Sequence, residues 1–191
     1  MVASSRGILM HWHIEMFLNG AQICAPFSTE FKYFLEFYKN FMLPRGLEPV
    51  RTEFCVFHTG LACAGQIDFL ARYFGTDTYV IIDWKRSKEI KERNIFQNLL
   101  PPMDHLEQTN LNMYSLQLNM YRYIMQTEYD TRVDELYLVI LHEINDKPLV
   151  FTVQIMDEDI GRILRHEKDE RNARDPETGA EAKFYTEHLR I

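Results

Sequence analysis

The sequence predicts an α/β domain in which a mixed central β-sheet is flanked by helices. Two observations lead to this prediction: helical segments precede a strand-rich middle, and a further helix separates that middle from two more strands. The chain has 191 residues, which is enough for one domain with a substantial core. We therefore expect a single domain over residues 1–191, with a possible polar extension over residues 172–191.

Two helices are predicted at the start of the chain. The first covers residues 4–18, where apolar residues recur mainly at helical spacing, and Asn19-Gly20 is predicted to end it. The second begins at Ser28, whose hydroxyl can cap it, and ends at Pro44-Arg45-Gly46. Its aromatic stripe predicts packing in the core far more often than a ligand pocket. The stripe consists of Phe31, Phe34, Phe37, Tyr38 and Phe41.

Three strands are predicted next, over residues 50–57, 61–73 and 78–84, as consecutive antiparallel hairpins. Residues 95–109 lack a clean period, which predicts a loop or short turns over the site; long loops in compact domains are often functional. The remaining elements are a helix, two strands and a last helix, predicted over residues 111–127, 133–142, 149–154 and 157–171.

Composition limits the class of protein. A hydrophobic fraction of 46% and a charged fraction of 26% are ordinary for a globular protein. No apolar run could span a bilayer and no secretory pattern is present, so we expect an intracellular protein with no membrane partner.

The three cysteines lack a C-x-x-C pair, which argues against a disulfide framework or a zinc ribbon. A net charge of −7 is weak evidence against nucleic-acid binding, because binding depends on local patches. The sequence leaves the oligomeric state open.

Two carboxylates lie in apolar, β-prone runs. Asp68 ends the segment Gly65-Gln66-Ile67-Asp68, and Asp83 follows Tyr79–Ile82. Burying an unpaired charge costs several kcal/mol, so a divalent cation is the natural compensating group. If the two segments are neighbouring strands, these carboxylates converge, and Lys85 projects from the same face as Asp83 because side chains alternate. Two carboxylates beside an ammonium suit metal-dependent hydrolysis of a phosphodiester.

Three motifs occur in order between positions 7 and 121. The first is G-x-x-x-H-x-x-I-E on a predicted helix, the second is G-x-x-D with D-x-K on predicted strands, and the third is Q-x-x-x-Y on a later helix. Together they resemble the PD-(D/E)xK nuclease superfamily and, within it, the RecB-like exonuclease branch. The matching residues are Gly7, His11, Ile14, Glu15, Gly65, Asp68, Asp83, Lys85, Gln117 and Tyr121.

The resemblance implies a restriction-endonuclease-like core that hydrolyses DNA, with exonuclease action on single strands or on DNA ends. Asp68 and Asp83 would bind one or two Mg²⁺ or Mn²⁺ ions, with the backbone carbonyl of Trp84 available between the catalytic residues. Lys85 would orient the attacking water or stabilise the developing charge. The resemblance also makes His11 an additional metal ligand. Small free-standing exonucleases are the nearest kind, because no helicase motif is present.

The third motif adds two residues to the expected site. The resemblance implies that Gln117 reaches the active site and that Tyr121 approaches the substrate backbone. The two lie four residues apart on a helix and therefore face the same direction. An iron–sulfur cluster is not expected, because the branch members that have one use three C-terminal cysteines and none follows Cys63 here.

Several residues keep two interpretations. Glu53 is either a further acidic metal ligand or part of a surface ion pair. Glu15 could instead hydrogen-bond to His11 and orient it as a metal ligand. Arg86 and Lys88 are candidate DNA contacts, or belong to a solvated helix face paired with Glu89 and Glu92. Trp84 is more consistent with packing than with base stacking. His13 competes with His11 but lacks its offset from Gly7. We expect structural or surface roles for His58, His105 and His142.

Two other functions remain open at the level of sequence. The first is a catalytically inactive nuclease-fold module that binds DNA or a partner, against which the intact acidic, lysine and glutamine positions count. The second is a metallohydrolase acting on a small phosphate ester, for which more glycine would be expected near the phosphates.

Overall fold

The computed structural model describes residues 2–24 and 26–174, and these residues form a five-stranded sheet between layers of helices. Of the predicted extension over residues 172–191, residues 172–174 belong to the last helix, and residues 175–191 lie outside the described residues. The elements match the predicted order throughout. They are α1 (Val2–Leu18), α2 (Thr29–Phe37), β1 (Leu47–His58), β2 (Cys63–Tyr73), β3 (Tyr79–Lys85), α3 (Asn110–Glu128), β4 (Val133–Ile140), β5 (Leu149–Val153) and α4 (Asp157–Arg174).

The strands lie in the order β1-β2-β3-β4-β5. Every neighbouring pair is antiparallel except β3 and β4, which are parallel. A parallel pair needs a crossover, and here the chain crosses through an irregular segment and α3 before it enters β4. The predicted mixed sheet and the two predicted hairpins are thus confirmed.

The sheet divides the core into two parts. One face packs against α1 and α2, and the other packs against α3. Strand β3 shows the division, because Val80, Ile82 and Trp84 join the first part and Ile81 joins the second. Alternation therefore places Asp83 and Lys85 on the α3 face.

The aromatic stripe of α2 packs in the core, as predicted. Phe34 and Phe37 are at most 2% exposed, and both rings contact the Trp84 ring edge-on. Trp84 itself is 1% exposed and stacks on Phe69, so its indole is a packing group and not a base-stacking one.

Local signals account for the helix boundaries. The Ser28 hydroxyl accepts a hydrogen bond from the Phe31 backbone N–H at 3.2 Å and caps α2. After α2 the chain continues through a widened turn to Arg45, and Gly46 ends it in the left-handed conformation with φ +65°. Thr109 caps α3 in the same way, through the Asn112 backbone N–H at 3.1 Å.

The segment between β3 and α3 is irregular from residue 86 to residue 109. The predicted irregular segment is confirmed and is longer than expected, and its position over the site stays a prediction. The alternative interpretation of its basic stretch as a helix face is wrong, because this stretch has no helical turn. Arg93 pairs with Glu107, and not with Glu89 or Glu92.

None of the helices in the described part of the chain combines the length and the apolar character that crossing a bilayer requires.

Candidate active site

Three carboxylates lie in a row across β1, β2 and β3. Thr52 faces Phe69 and Phe54 faces Ile67 in the β1–β2 register, so Glu53 lies opposite Asp68. The β2–β3 register pairs Phe69 with Ile82, and one step further along it Asp68 lies across from Asp83. Asp68 Oδ2 also accepts a hydrogen bond from the Trp84 backbone N–H at 2.8 Å. The predicted convergence of the two strand carboxylates is therefore present, and Glu53 joins them.

The sheet is irregular at this row. Glu53 has φ +47°, a backbone conformation that few non-glycine residues adopt. On β2, Ile67 and Leu70 pack on the same face although they are three residues apart, so the alternation breaks between them. Such irregularities redirect side chains next to functional sites.

His11 reaches this row from α1. Its Nε2 lies 3.1 Å from the Trp84 carbonyl oxygen, and because a carbonyl only accepts, Nε2 is the donor. Its Nδ1 lies 3.2 Å from Glu53 Oε1 and 3.8 Å from Asp68 Oδ2. One ligand atom from each of His11, Glu53 and Asp68 lies within 4.8 Å of the others. These three side chains could therefore contact one cation.

Burial shifts the pKa values of the ionisable groups in this site. Burial raises the pKa of Asp68, and the charge of Asp83 raises it further. Burial also raises the pKa of Asp83, against the opposing effect of Lys85. At His11, burial lowers the pKa, but the nearby carboxylates of Glu53 and Asp68 outweigh it, and the net shift is upward. Carboxylates that resist ionisation beside a histidine that favours protonation indicate a site short of positive charge.

Lys85 supplies part of that positive charge. Its Nζ lies 3.0 Å and 2.8 Å from the two carboxylate oxygens of Asp83. Burial acts to lower the pKa of Lys85, but the charges of Asp83 and Asp68 outweigh it, so the pKa rises and the ammonium persists. The same Nζ lies 5.0 Å from the centre of the Tyr114 ring. This distance allows a cation–π contact.

Helix α3 brings the third motif to the same face. Gln117 follows Tyr114 by one turn, and its Nε2 donates to the Tyr121 hydroxyl at 2.8 Å. The Tyr121 ring is 8% exposed and packs on Gly65, where a Cβ atom would overlap it. The geometry therefore gives Tyr121 the task of holding Gln117, and the predicted approach of Tyr121 to the substrate backbone stays a prediction.

An ion-pair cluster fixes α1 to the end of β3. Glu30 is 1% exposed and receives both Arg6, at 2.7 Å, and Arg86, at 2.6 Å. Glu143, which follows β4, also pairs with Arg6. Arg6 precedes His11 by little more than one helical turn, so this cluster helps to set the position of His11 over the sheet.

Two interpretations from the sequence need correction. Arg86 does not face solvent as a DNA contact would, because its side chain is 10% exposed and is held by Glu30. The Glu15 side chain makes no hydrogen bond to His11 within the described residues; Glu53 fills that position. Lys88 is exposed, and its predicted contact with DNA remains a prediction. Three other histidines lie apart from the site. His58 lies beside Glu128 and His105 is bonded to Asp159. His142 is buried near Arg86.

Two residues of the site were missed at the level of sequence. Gln66 Nε2 donates to Glu53 Oε2 at 2.7 Å and so orients that carboxylate. Gln66 precedes Asp68 by two positions, and strand alternation could have singled it out. Tyr114 precedes Gln117 by three positions, and helical spacing could have placed it on the same face.

Comparisons with known proteins give similarity to solved structures alone. A scan against protein families and a search of curated proteins each find no match. Among solved structures, a candidate exonuclease from Eubacterium rectale matches with a TM-score of 0.46 and 12% sequence identity. The match covers 94% of this chain and 77% of that one. At this level of similarity, the neighbour's activity says nothing about the chemistry of this chain.

Proposed function

We propose that this protein is a metal-dependent deoxyribonuclease of the RecB-like branch of the PD-(D/E)xK superfamily. The observation that carries the proposal is the convergence of His11, Glu53 and Asp68 to within 4.8 Å, beside the buried Asp83–Lys85 pair. The three motifs behind the resemblance are separated by about fifty and about thirty residues in sequence, yet their side chains lie around one row of carboxylates. This convergence supports a shared task.

The donor set fits Mg²⁺ or Mn²⁺. His11, Glu53, Asp68 and Asp83 would hold the ion or ions, since carboxylate oxygens with an imidazole nitrogen suit these cations. Burial and the charge of Asp83 raise the pKa of Asp68, and this gives the fit a physical basis, because a bound cation would favour the ionised carboxylates. When bound, such an ion polarises a phosphoryl oxygen and lowers the pKa of a coordinated water.

The remaining side chains would act on the substrate. Lys85 holds an ammonium beside Asp83, where it can stabilise the negative charge that develops on the phosphorus substituents or orient the attacking water. Gln117 uses its amide NH₂ on Tyr121, which leaves its carbonyl oxygen free to accept a hydrogen bond from a water. Both residues lie on the α3 side of the sheet and His11 reaches the carboxylates from α1, so a scissile phosphate would be bound at the carboxylate row between these two sets of side chains.

A digestion time course tests the proposal. The substrates are end-labelled single-stranded DNA, the matching duplex, a circular single strand and an RNA of the same sequence. With Mg²⁺ or Mn²⁺ we expect linear DNA to shorten from its ends while the circle stays intact. Ca²⁺ should allow binding with little cleavage, because its looser coordination positions a water poorly.

The outcomes separate the alternatives. Cleavage of the circle would replace the exonuclease assignment with an endonuclease. Metal binding without cleavage of any substrate would indicate an inactive nuclease-fold module. Equal turnover in EDTA and in Mg²⁺ would exclude metal-dependent hydrolysis.

A further inference from the structure

The outer face of α1 exposes large apolar side chains. Ile8 is 70% exposed, Leu9 45% and Trp12 50%, whereas Met10 and Ile14 on the inner face are 1% exposed. Within the described residues the Trp12 ring contacts the His13 ring, with the two ring centres 5.1 Å apart, and half of Trp12 remains exposed. Contiguous exposed apolar side chains on a small domain commonly mark a binding surface.

This face adjoins the candidate active site. Ile8 and Trp12 lie one turn apart, in the row next to Gly7 and His11, because each residue turns the helix by about 100°. His11 contacts the Trp84 carbonyl and Glu53. A strand bound at the carboxylates would therefore pass the outer face of α1 on one side.

Gly7 leaves room for such a strand. A Cβ atom at Gly7 would meet nothing within 4 Å in the described part of the chain, and its backbone is helical. A glycine inside a helix is destabilising relative to alanine. Packing among the described residues does not require a glycine here, so the helix surface beside His11 is open to a ligand.

The charge on α1 selects the kind of ligand. Arg6 is the only lysine or arginine of α1, and Glu30 and Glu143 already engage it. Duplex DNA presents phosphates and keeps its bases paired, so it would need cations on this face. A single strand offers unpaired bases that stack on aromatic and apolar side chains.

We propose that Ile8, Leu9 and Trp12 form a platform for unpaired bases of the substrate strand, with the sugar–phosphate backbone passing at Gly7. This inference rests on the proposed nuclease function, and it names the substrate as single-stranded at the point where it leaves the catalytic residues. The platform would favour single strands or frayed ends over intact duplex.

Tryptophan fluorescence tests the platform directly. The chain has two tryptophans, and Trp84 is 1% exposed, so iodide should quench Trp12 almost alone. The probe is a thymidine oligonucleotide of about ten nucleotides, a length typical of single-strand sites. It is added to the full chain in Ca²⁺, with a blunt duplex of equal length as the comparison. We expect the single strand to protect Trp12 from iodide and the duplex to leave it accessible. Trp12→Ala should weaken single-strand binding by about tenfold, which is within the usual range for loss of one stacking contact.

Each outcome decides a different claim. Cleavage or binding of the single strand with Trp12 still accessible to iodide would overturn the platform and leave the nuclease proposal standing. Protection of Trp12 without any cleavage in Mg²⁺ would support the platform and remove the nuclease. Protection that appears before nucleic acid is added, and grows with protein concentration, would assign the face to a second copy of the chain and overturn the platform. Absence of all nucleic-acid binding would overturn both.

Substitutions at Gly7 and at a second helical glycine, Gly161, test separately whether the substrate backbone passes at Gly7. Gly7→Ala and Gly7→Leu should raise thermal stability, because both residues favour a helix over glycine, while the KM for single-stranded DNA rises with side-chain size. Gly161→Ala is the matched control, since Gly161 lies inside α4 and its new Cβ would meet only the flexible end of Arg165. It should raise stability with no change in KM. An unchanged KM in both Gly7 variants would contradict the passage beside His11.

Discussion

Glu53 lies directly across from Asp68 on neighbouring strands, and it does so with a left-handed backbone at φ +47°. A non-glycine residue in this conformation costs on the order of 1–3 kcal/mol and persists only where surrounding contacts enforce it. Here His11 and Gln66 hold the Glu53 carboxylate. The strain thus coincides with the row of acids that the proposed metal site needs.

The first prediction concerns this strain. At an ordinary strand position, replacing alanine by glycine destabilises a protein by about 0.5–1 kcal/mol. At position 53 we expect the opposite order, with Glu53→Gly more stable than Glu53→Ala, because glycine accepts a positive φ without strain. Denaturant unfolding of the two variants measures the difference, and both lack the carboxylate, so charge effects cancel. Greater stability of the alanine variant would show that residue 53 is not strained.

The second prediction concerns the Asp83–Lys85 pair. Lys85→Ala and Asp83→Asn should each lower the cleavage rate by about a hundredfold or more, the usual effect of removing a key electrostatic group. Circular dichroism should show that both variants stay folded. Lys32→Ala, an exposed lysine on α2, is the control and should keep the wild-type rate. A folded Lys85→Ala protein with wild-type turnover would remove the proposed mechanism.

Hydrophobic patterning predicted the paired strands that carry Asp68 and Asp83, and the regular alternation of β3 places Asp83 and Lys85 on one face. Patterning could not reveal that Gly65 is small because Tyr121 packs on it, since the two are distant in sequence. It also could not show that Arg86 is held by Glu30, which lies 56 residues earlier. The irregularity of the sheet at this row also has no signal in the sequence. Glu53 has a positive φ, but glutamate is not a residue type that prefers this conformation.

The third prediction is a pH dependence of metal-induced stabilisation. Without metal, the folded protein raises the pKa of Asp68 from 3.8 to about 7, so within that window it binds a proton that the unfolded chain has released. The contribution of Asp68 to stability is therefore largest at low pH and is lost as pH rises through the window. A cation requires ionised carboxylates and a neutral His11, so its stabilising effect should increase with pH.

Thermal unfolding in EDTA and in Mn²⁺ across this range measures that effect. The difference in Tm between the two conditions should widen from acidic to mildly alkaline pH. Asp68→Asn is the control, since its amide does not titrate, and its difference should be smaller and flatter. A wild-type difference that shrinks as pH rises would contradict a metal site at these carboxylates.

The last prediction compares two histidines on one helix. His11 Nδ1 lies 3.2 Å from Glu53 and 3.8 Å from Asp68, whereas the His13 ring packs 5.6 Å from that of Phe31. His11→Ala should weaken Mn²⁺ affinity by about tenfold or more, as losses around metal sites commonly do, and should lower activity with it. His13→Ala should leave Mn²⁺ affinity near the wild-type value, although lost packing could lower Tm. Calorimetric Mn²⁺ titration of both variants separates the two effects. Equal loss of affinity in the two variants would exclude His11 as a ligand and, with it, the RecB-like assignment. The row formed by Glu53, Asp68 and Asp83 would still support the broader nuclease proposal.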